Sequence, residues 1–244
     1  MRGAPEPWTV EALNLPEHGR NPIHTDAGAR AAGFPRALVA GVTTYAYLTH
    51  PIAAAWGLDW LGSGGGEVRF RAPVFQSDRL LCLPVVDGDD VVVEARSGEG
   101  PDQPRATLRA VARSAPVVPL GAGEPLTTYE TVLTGEWGDE YGSRAGDDLP
   151  LYRERGVVHP AVWPALANHI VHTQVARGSW IHMRSVVRHH ALAAAGSEAA
   201  VSAVVVRRFE RSGERAVLDV RIEVAGVVVA TLEHEAIIAL RPGT

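Results

Sequence analysis

The sequence contains no lysine, since all 23 basic residues among its 244 residues are arginines. This excludes Schiff-base chemistry on a lysine and a phosphate-binding loop of the P-loop type. Cys82 is the single cysteine, so no internal disulfide can form, and its apolar surroundings predict a buried side chain. No apolar stretch reaches the roughly 18 residues of a membrane span, and the N-terminus does not resemble a signal peptide. We therefore expect a cytoplasmic protein.

The charge balance narrows the choice of partners. A formal net charge of −5 gives no general basic field, so neither nucleic acid nor a membrane is expected as a partner.

No His-Glu-x-x-His motif or Cys/His set occurs, so we expect no metal site and no cofactor. The length allows one large core or two cores of about 120 residues each.

A long apolar segment follows a stiff turn near the N-terminus. The pair Asn21-Pro22 forces a turned or extended backbone, which places His24 at the mouth of a helix predicted over residues 38–56. The apolar residues of this segment recur every three or four positions, and small residues lie between them. This pattern predicts a helix that other elements enclose.

Strand-like runs follow this helix, and the same order then recurs in the second half of the chain. A Pro- and Gly-rich stretch at 115–126 is interpreted as a linker. A second helix is predicted over 160–176. The predicted strands span 68–74, 79–86, 91–96 and 105–113 in the first half, and 180–189, 199–210, 214–224 and 227–240 in the second.

Three motifs lie in order between residues 17 and 80. They are Asn-Pro-Ile-His at 21–24, Gly-Phe-Pro at 33–35 with Ala-Gly at 40–41, and Glu-Val-Arg-Phe-Arg-Ala-Pro-Val-Phe-Gln-Ser-Asp at 67–78. In these motifs the chain resembles the MaoC-type, R-specific enoyl thioester hydratase/dehydratase family of hot-dog proteins. The resemblance implies an acyl thioester substrate, delivered by coenzyme A or by the phosphopantetheine arm of a carrier protein.

The resemblance and the repeated order together predict an α+β double hot-dog fold. One hot-dog half would span residues 1–114 and the other 127–244, each with an antiparallel sheet around a long helix, as a pseudo-dimer in one chain. We expect the two sheets to be continuous across the pseudo-twofold axis. A further homodimer of two chains is left open.

The family motif is Asp-x-Asn-Pro-x-His, in which Asp and His share the water of the reaction. The resemblance implies that His24 is the acid/base group and that Asn21 belongs to the substrate site. Gly41 and Val42, at the start of the first helix, would offer backbone amides to the thioester oxygen. Asn168 and His172 are four residues apart on the second helix, so they share a face and are further candidates for substrate contact.

The chain departs from this motif because Gly19 stands where the family has its aspartate. In the second half Asp147 holds the aspartate position, but Tyr152 holds the histidine position. We therefore consider Asp147 and Asp26 as catalytic carboxylates beside His24, with Glu17 and His18 as alternatives. Three interpretations stay open: a hydratase/dehydratase, a repurposed hot-dog enzyme such as a thioesterase or polyketide-type cyclase, and a non-catalytic acyl-binding or partner subunit.

Several other polar residues allow two interpretations. Arg69 and Arg71, with Arg184 and Arg188 in the matching strand, could hold the phosphates of coenzyme A or form a solvated sheet face. His182 is predicted to lie on the strand over 180–189, and we assign it no functional role. Strand alternation puts His234 on the face opposite its two neighbouring glutamates, and we expect it to be structural.

Overall fold

The computed structural model describes residues 3–88, 90–98 and 103–240. The described chain contains an antiparallel sheet of 11 strands, and helices lie against it. The helices are α1 (Asp26–Ala31), α2 (Gly41–Ser63), α3 (Tyr141–Ala145), α4 (Leu151–Arg155) and α5 (Val162–Ile170). The strands are β1 (Trp8–Glu11), β2 (Gly65–Phe70), β3 (Arg79–Asp87), β4 (Asp90–Ser97), β5 (Ala106–Val111), β6 (Glu124–Pro125), β7 (Tyr129–Val132), β8 (Ile181–His189), β9 (Glu198–Glu210), β10 (Glu214–Val224) and β11 (Val227–Ala239).

The order of the strands shows two similar halves. Along the sheet the order is β1-β3-β4-β5-β2-β8-β11-β10-β9-β6, and β7 pairs with β9. The series β3-β4-β5-β2 of the first half thus corresponds to β9-β10-β11-β8 of the second half. Strands β2 and β8 pair antiparallel where the halves meet, so one sheet runs through both. The predicted double hot-dog fold and the continuity of its sheet are confirmed.

Helix α2 is the central helix of the first half. Most of its residues between Val42 and Ala53 are buried, as its uniformly apolar sequence predicted. It begins at Gly41 and not at Leu38, because Leu38 forms a strand-like bridge with Phe75. It also continues beyond the predicted end at residue 56, across a kink at Gly57 (φ 56°, ψ −146°), because Trp60 and Leu61 remain buried against the core.

The helix of the second half is shorter than predicted. Helix α5 ends at Ile170, and one turn of π-helix, Val171–Val175, occupies the rest of the predicted span. The short elements β1, β6, β7, α1, α3 and α4 were not predicted, and β6 lies within the stretch interpreted as a linker. Among the described residues, no helix is both long and apolar enough to cross a membrane.

Two glycines of β2 allow close approach of its neighbours, Gly65 toward the second half and Gly66 toward β5 of the first half. A Cβ atom on Gly65 would lie 2.2 Å from the carbonyl oxygen of Val187 in β8, and one on Gly66 would lie 2.6 Å from that of Arg109 in β5. Both distances are far below van der Waals contact. These glycines belong to strand β2, where the close approach of neighbouring backbones requires them.

We expect Gly65→Ala to destabilise the protein by about 1–3 kcal/mol or more, because the added methyl group must push β2 away from β8. Thermal or urea unfolding would measure this loss. Gly98→Ala is the matched control, since a Cβ atom there meets nothing within 4 Å. Equal stability of the two variants would contradict this account of the join.

Candidate active site

A cavity of about 270 Å³ lies between the two halves. A smaller cavity of about 60 Å³ adjoins it, and four residues line both: Asn21, His24, Asn168 and Trp180. The first half contributes the start of α2 and the segment after β2, and the second half contributes α5 and the start of β8. The larger cavity is mainly apolar, with walls that include Phe34, Leu38, Val39, Phe70, Val74, Ile181 and Ile237.

His24 lies where the two cavities meet, and its protonation state follows from its contacts. The ring nitrogen Nδ1 lies 2.8 Å from the carbonyl oxygen of Leu38. A carbonyl can only accept, so Nδ1 carries the proton and the neutral ring has an unprotonated Nε2. Burial lowers the pKa of His24 to about 4, although the bond to Leu38 acts in the opposite direction. His24 is therefore a neutral base at pH 7.

The N-terminus of α2 adds hydrogen-bond donors to the same region. Gly41 and Val42 are the first two residues of the helix, so their amides have no acceptor within it. Gly41 lines the larger cavity and Val42 the smaller one. The positive end of the helix dipole also favours negative charge at this point. The position thus suits an oxygen atom that gains negative charge.

A second histidine lies next to His24. The rings of His18 and His24 are 5.9 Å apart between centroids. Nε2 of His18 lies 3.2 Å from the Thr43 hydroxyl and 3.3 Å from the Tyr141 hydroxyl, so both halves hold this ring. Burial, with the nearby His24 and Arg144, lowers the pKa of His18 to about 3. His18 is therefore neutral as well.

Glu17 supplies a carboxylate to the smaller cavity. Its Oε2 accepts from Arg144 at 2.7 Å, which fixes the group in place. Its Oε1 is buried and has no hydrogen-bond partner in the part of the chain that the structure describes. Glu17 therefore keeps one oxygen available beside the two histidines.

The two aspartates predicted for catalysis make other contacts. Asp26 is exposed, accepts from the Ala37 amide at 2.9 Å and pairs with Arg30 at 3.3 Å. Asp147 is buried, accepts from the Leu149 amide at 2.9 Å and lies 3.2 Å from Nε2 of His159. Neither aspartate lines the two cavities, and the structure does not bring either of them together with His24.

The other predicted contact residues differ in how free their polar atoms are. Asn21 donates to the Trp180 carbonyl at 2.8 Å, so its side chain ties the first half to the second. Asn168 has a buried Oδ1 with no partner among the described residues, and it lines both cavities. His172, on the π-helical turn, lines the smaller cavity. Asn168 is thus the better placed of the two for contact with a ligand.

A group of potential metal ligands forms elsewhere. Nε2 of His50 lies 2.7 Å from Asp148 and 3.7 Å from Asp147, and these three residues could share an ion. The His50 ring also stacks on Trp8 at 3.8 Å between centroids. These mutual contacts account for the group without an ion, and we assign it no metal.

Sequence reasoning missed His182 and Trp180 as residues of the site. Both lie at the start of β8, and both line the larger cavity. Their signal in the sequence was weak, because a histidine and a tryptophan at the start of a strand are compatible with an ordinary core. Only the pairing of β8 with β2 brings them against the first half.

The fold and the position of the cavity define a double hot-dog protein. No protein-family model and no curated protein sequence matches the chain. Solved structures do match. One is a protein from Chloroflexus aurantiacus described as a MaoC domain protein dehydratase. It has 12% sequence identity and a TM-score of 0.62, and the match covers 97% of this chain and 96% of that one.

Two further solved structures agree with this. A double hot-dog protein from Mycobacterium tuberculosis has 10% identity and a TM-score of 0.62, over 95% of this chain and 96% of its own. A protein from Lactobacillus plantarum is described as an oleoyl thioesterase. It has 10% sequence identity and a TM-score of 0.57, and the match covers 99% of this chain and 98% of that one. The chain thus shares the double hot-dog fold of MaoC-like dehydratases over nearly its whole length.

Buried histidines make the stability depend on pH. Burial lowers the pKa to about 4 for His24 and His189 and to about 3 for His234. The unfolded chain, with histidine pKa values near 6.5, therefore binds more protons as the pH falls below that value. The stabilisation is complete above about pH 6.5 and is lost progressively down to the folded pKa, at about 1.4 kcal/mol per pH unit for each histidine.

Urea unfolding between pH 5 and 7.5 would measure this slope. Carboxylates contribute little there because their unfolded pKa values are near 4. His189→Gln, which cannot titrate, should show a smaller slope than the wild type. A stability that does not change between pH 5 and 7 would contradict the burial of these rings in neutral form.

Proposed function

We propose that this protein is an enzyme that acts on acyl thioesters, and that it hydrates an enoyl thioester or, in reverse, dehydrates a 3-hydroxyacyl thioester. The observation that carries the proposal is the state of His24. Its Nδ1 is held by Leu38, which leaves an unprotonated Nε2 where an apolar cavity meets the N-terminus of α2. A base beside a place for a developing negative charge is what this chemistry needs.

The reaction can be followed through this chain's own residues. The thioester oxygen accepts from the amides of Gly41 and Val42, where enolate charge develops. In hydration, Nε2 of His24 takes a proton from water while the water oxygen bonds to C3, and the proton is then delivered to C2. In dehydration His24 removes the C2 proton and returns it to the leaving hydroxyl, which departs as water.

Glu17 is our candidate for the carboxylate that orients the water in place of the family's aspartate. It lines the smaller cavity together with His24, and its oxygen Oε1, which has no partner among the described residues, can accept a hydrogen bond from the water. A carboxylate also stabilises the imidazolium that forms when His24 takes the proton. Asp26 and Asp147 were the predicted partners, and we favour Glu17 because it lies at the cavity.

Arg71 is our candidate for binding the phosphates of the acyl carrier. It is exposed, it lines the larger cavity, and it has no acidic partner in the parts of the chain described. Arg69 lies 2.6 Å from Glu67, and Arg184 pairs with both Glu67 and Glu233, so these two charges are already neutralised. Among Arg69, Arg71 and Arg184, Arg71 is therefore the most available to a phosphate group.

Thioester hydrolysis is the second candidate function. Two observations favour it: Gly19 replaces the aspartate that the hydratase motif requires, and a protein described as an oleoyl thioesterase shares the fold. The same His24 would then direct water at the thioester carbonyl. A non-catalytic partner subunit that binds no ligand is less well supported, because the cavity beside His24 is not filled by side chains.

His24→Ala should lower kcat/KM by about 10²–10⁴, since general acid/base catalysis contributes this much. Loss of the enoyl absorbance of crotonyl-coenzyme A and of a longer enoyl thioester would measure hydration, and release of free thiol would measure hydrolysis. His190→Ala is the matched control. Nε2 of His190 is hydrogen-bonded to the Thr231 hydroxyl at 2.8 Å, and His190 lines neither cavity. An unchanged rate in folded His24→Ala would reject His24 as the base.

Arg71→Ala should raise KM for a coenzyme A thioester by about tenfold and leave kcat nearly unchanged, because one charged hydrogen bond to phosphate is lost. Steady-state kinetics would separate the two constants. Arg69→Ala provides the comparison, since its charge is already paired. Equal KM values for both variants would place the carrier elsewhere.

A further inference from the structure

Three buried residues form a hydrogen-bonded chain beside the cavity. Nε2 of His182 lies 2.8 Å from the Ser185 hydroxyl, which lies 2.8 Å from Nδ1 of His234. Ser185 in β8 and His234 in β11 are direct neighbours in the strand register, so their side chains share a face. All three side chains are buried. Neither histidine was given a catalytic role by the sequence.

A bulge in β8 turns His182 toward the cavity. Glu235 pairs with Arg184, but the next residue, Ala236, pairs with His182, so Met183 is the extra residue. Without the bulge, His182 and Ser185 would point to opposite faces, because they are three positions apart. A bulge of this kind re-aims a side chain, and bulges are frequent next to active sites.

The remaining nitrogen of His182 is available to a ligand. Nδ1 is buried without a partner among the described residues. It lies 3.4 Å from the position that a Cβ atom would take on Gly41, and the ring packs against Phe70 at 4.7 Å. Gly41 has no Cβ atom, so the space between its backbone and Nδ1 stays free. A buried polar atom without a partner is costly, and an oxygen of a ligand would satisfy it.

The Ser185 hydroxyl has one proton, which allows two arrangements. If Ser185 donates to His182, then His234 donates to Ser185 and His182 carries its proton on Nδ1. If Ser185 donates to His234, Nδ1 of His182 is bare. Burial lowers the pKa of both rings, so each is neutral. In the first arrangement a fixed N–H group of His182 projects beside Gly41.

We propose that His182 is a third hydrogen-bond donor to the thioester oxygen, together with the amides of Gly41 and Val42. Ser185 and His234 are positioning residues that hold the ring and place the proton on Nδ1. This inference rests on the proposed function, since it assumes a thioester in the cavity. It gives a role to the polar side chain that β8 places between the apolar residues Ile181 and Met183 of this wall.

The test measures polarisation of the carbonyl group in a bound thioester that cannot be hydrated. Butanoyl-coenzyme A, ¹³C-labelled at the thioester carbonyl, has no double bond to hydrate. When it binds to the wild type, we expect its carbonyl stretch to move to lower wavenumber. His182→Phe should remove much of this shift and lower kcat by about 10²–10³. His24→Ala should keep the shift while losing activity.

A shift that is the same in His182→Phe and the wild type would overturn the inference and leave the proposed function standing. If His182→Phe does not fold, Ser185→Ala decides: the ring remains but its proton is no longer placed, so we expect a smaller shift and about a tenfold lower kcat. An unchanged shift in Ser185→Ala would overturn the inference too. If the wild type does not bind butanoyl-coenzyme A, the proposed function fails, and the inference fails with it.

Discussion

Backbone hydrogen bonds between β2 and β8 join the two halves, and the candidate site depends on this pairing. The cavity has walls from both halves, so it exists only where these strands meet. The glycines of β2 permit the close approach of neighbouring backbones, and the Asn21 side chain fastens the turn that carries His24 to Trp180. A site built in this way is as stable as the join itself, because local separation of the halves would remove both the base and its cavity.

Each half keeps one of the two acid/base positions of the Asp-x-Asn-Pro-x-His motif and has lost the other. In the first half the histidine, His24, is present with its Nε2 free, and the aspartate position is Gly19. In the second half Asp147 is present, but it is buried against His159, whose Nδ1 accepts from the Ala161 amide. That second cluster has its hydrogen bonds satisfied inside the protein, which suits packing rather than catalysis. The candidate acid/base residues, His24 and Glu17, thus lie in the first half, and the second half contributes part of the cavity wall.

The fold could be predicted because local patterns located the helices and strands, and the resemblance of the motifs between residues 17 and 80 indicated how they are arranged. Apolar spacing identified α2, and alternating runs separated by turn residues located the eight long strands to within a few residues. The limits of α2 were wrong because Leu38 pairs as a strand and because Gly57 only kinks the helix. His24, Gly41 and Asn168, chosen from the motif and from helix spacing, line the cavity, and their roles stay predictions. Glu17 was predicted only as an alternative to Asp26 and Asp147, because the sequence does not show which carboxylate lies at the cavity. Trp180 and His182 could not be selected, because their proximity to the first half comes from the pairing of β8 with β2.

The place of the extra residue in β8 decides which side chain the strand presents beside Gly41. If the same sequence paired without a bulge, Met183 would lie opposite Ala236 and His182 opposite Ile237, on the other face of the sheet. The strand would keep almost all of its ladder hydrogen bonds in either arrangement. Deletion of Met183 would instead leave His182 opposite Ala236, so the polarity of this wall depends on the register of the strand and not on its length. Related folds could differ in chemistry through strand register while their backbones still superpose.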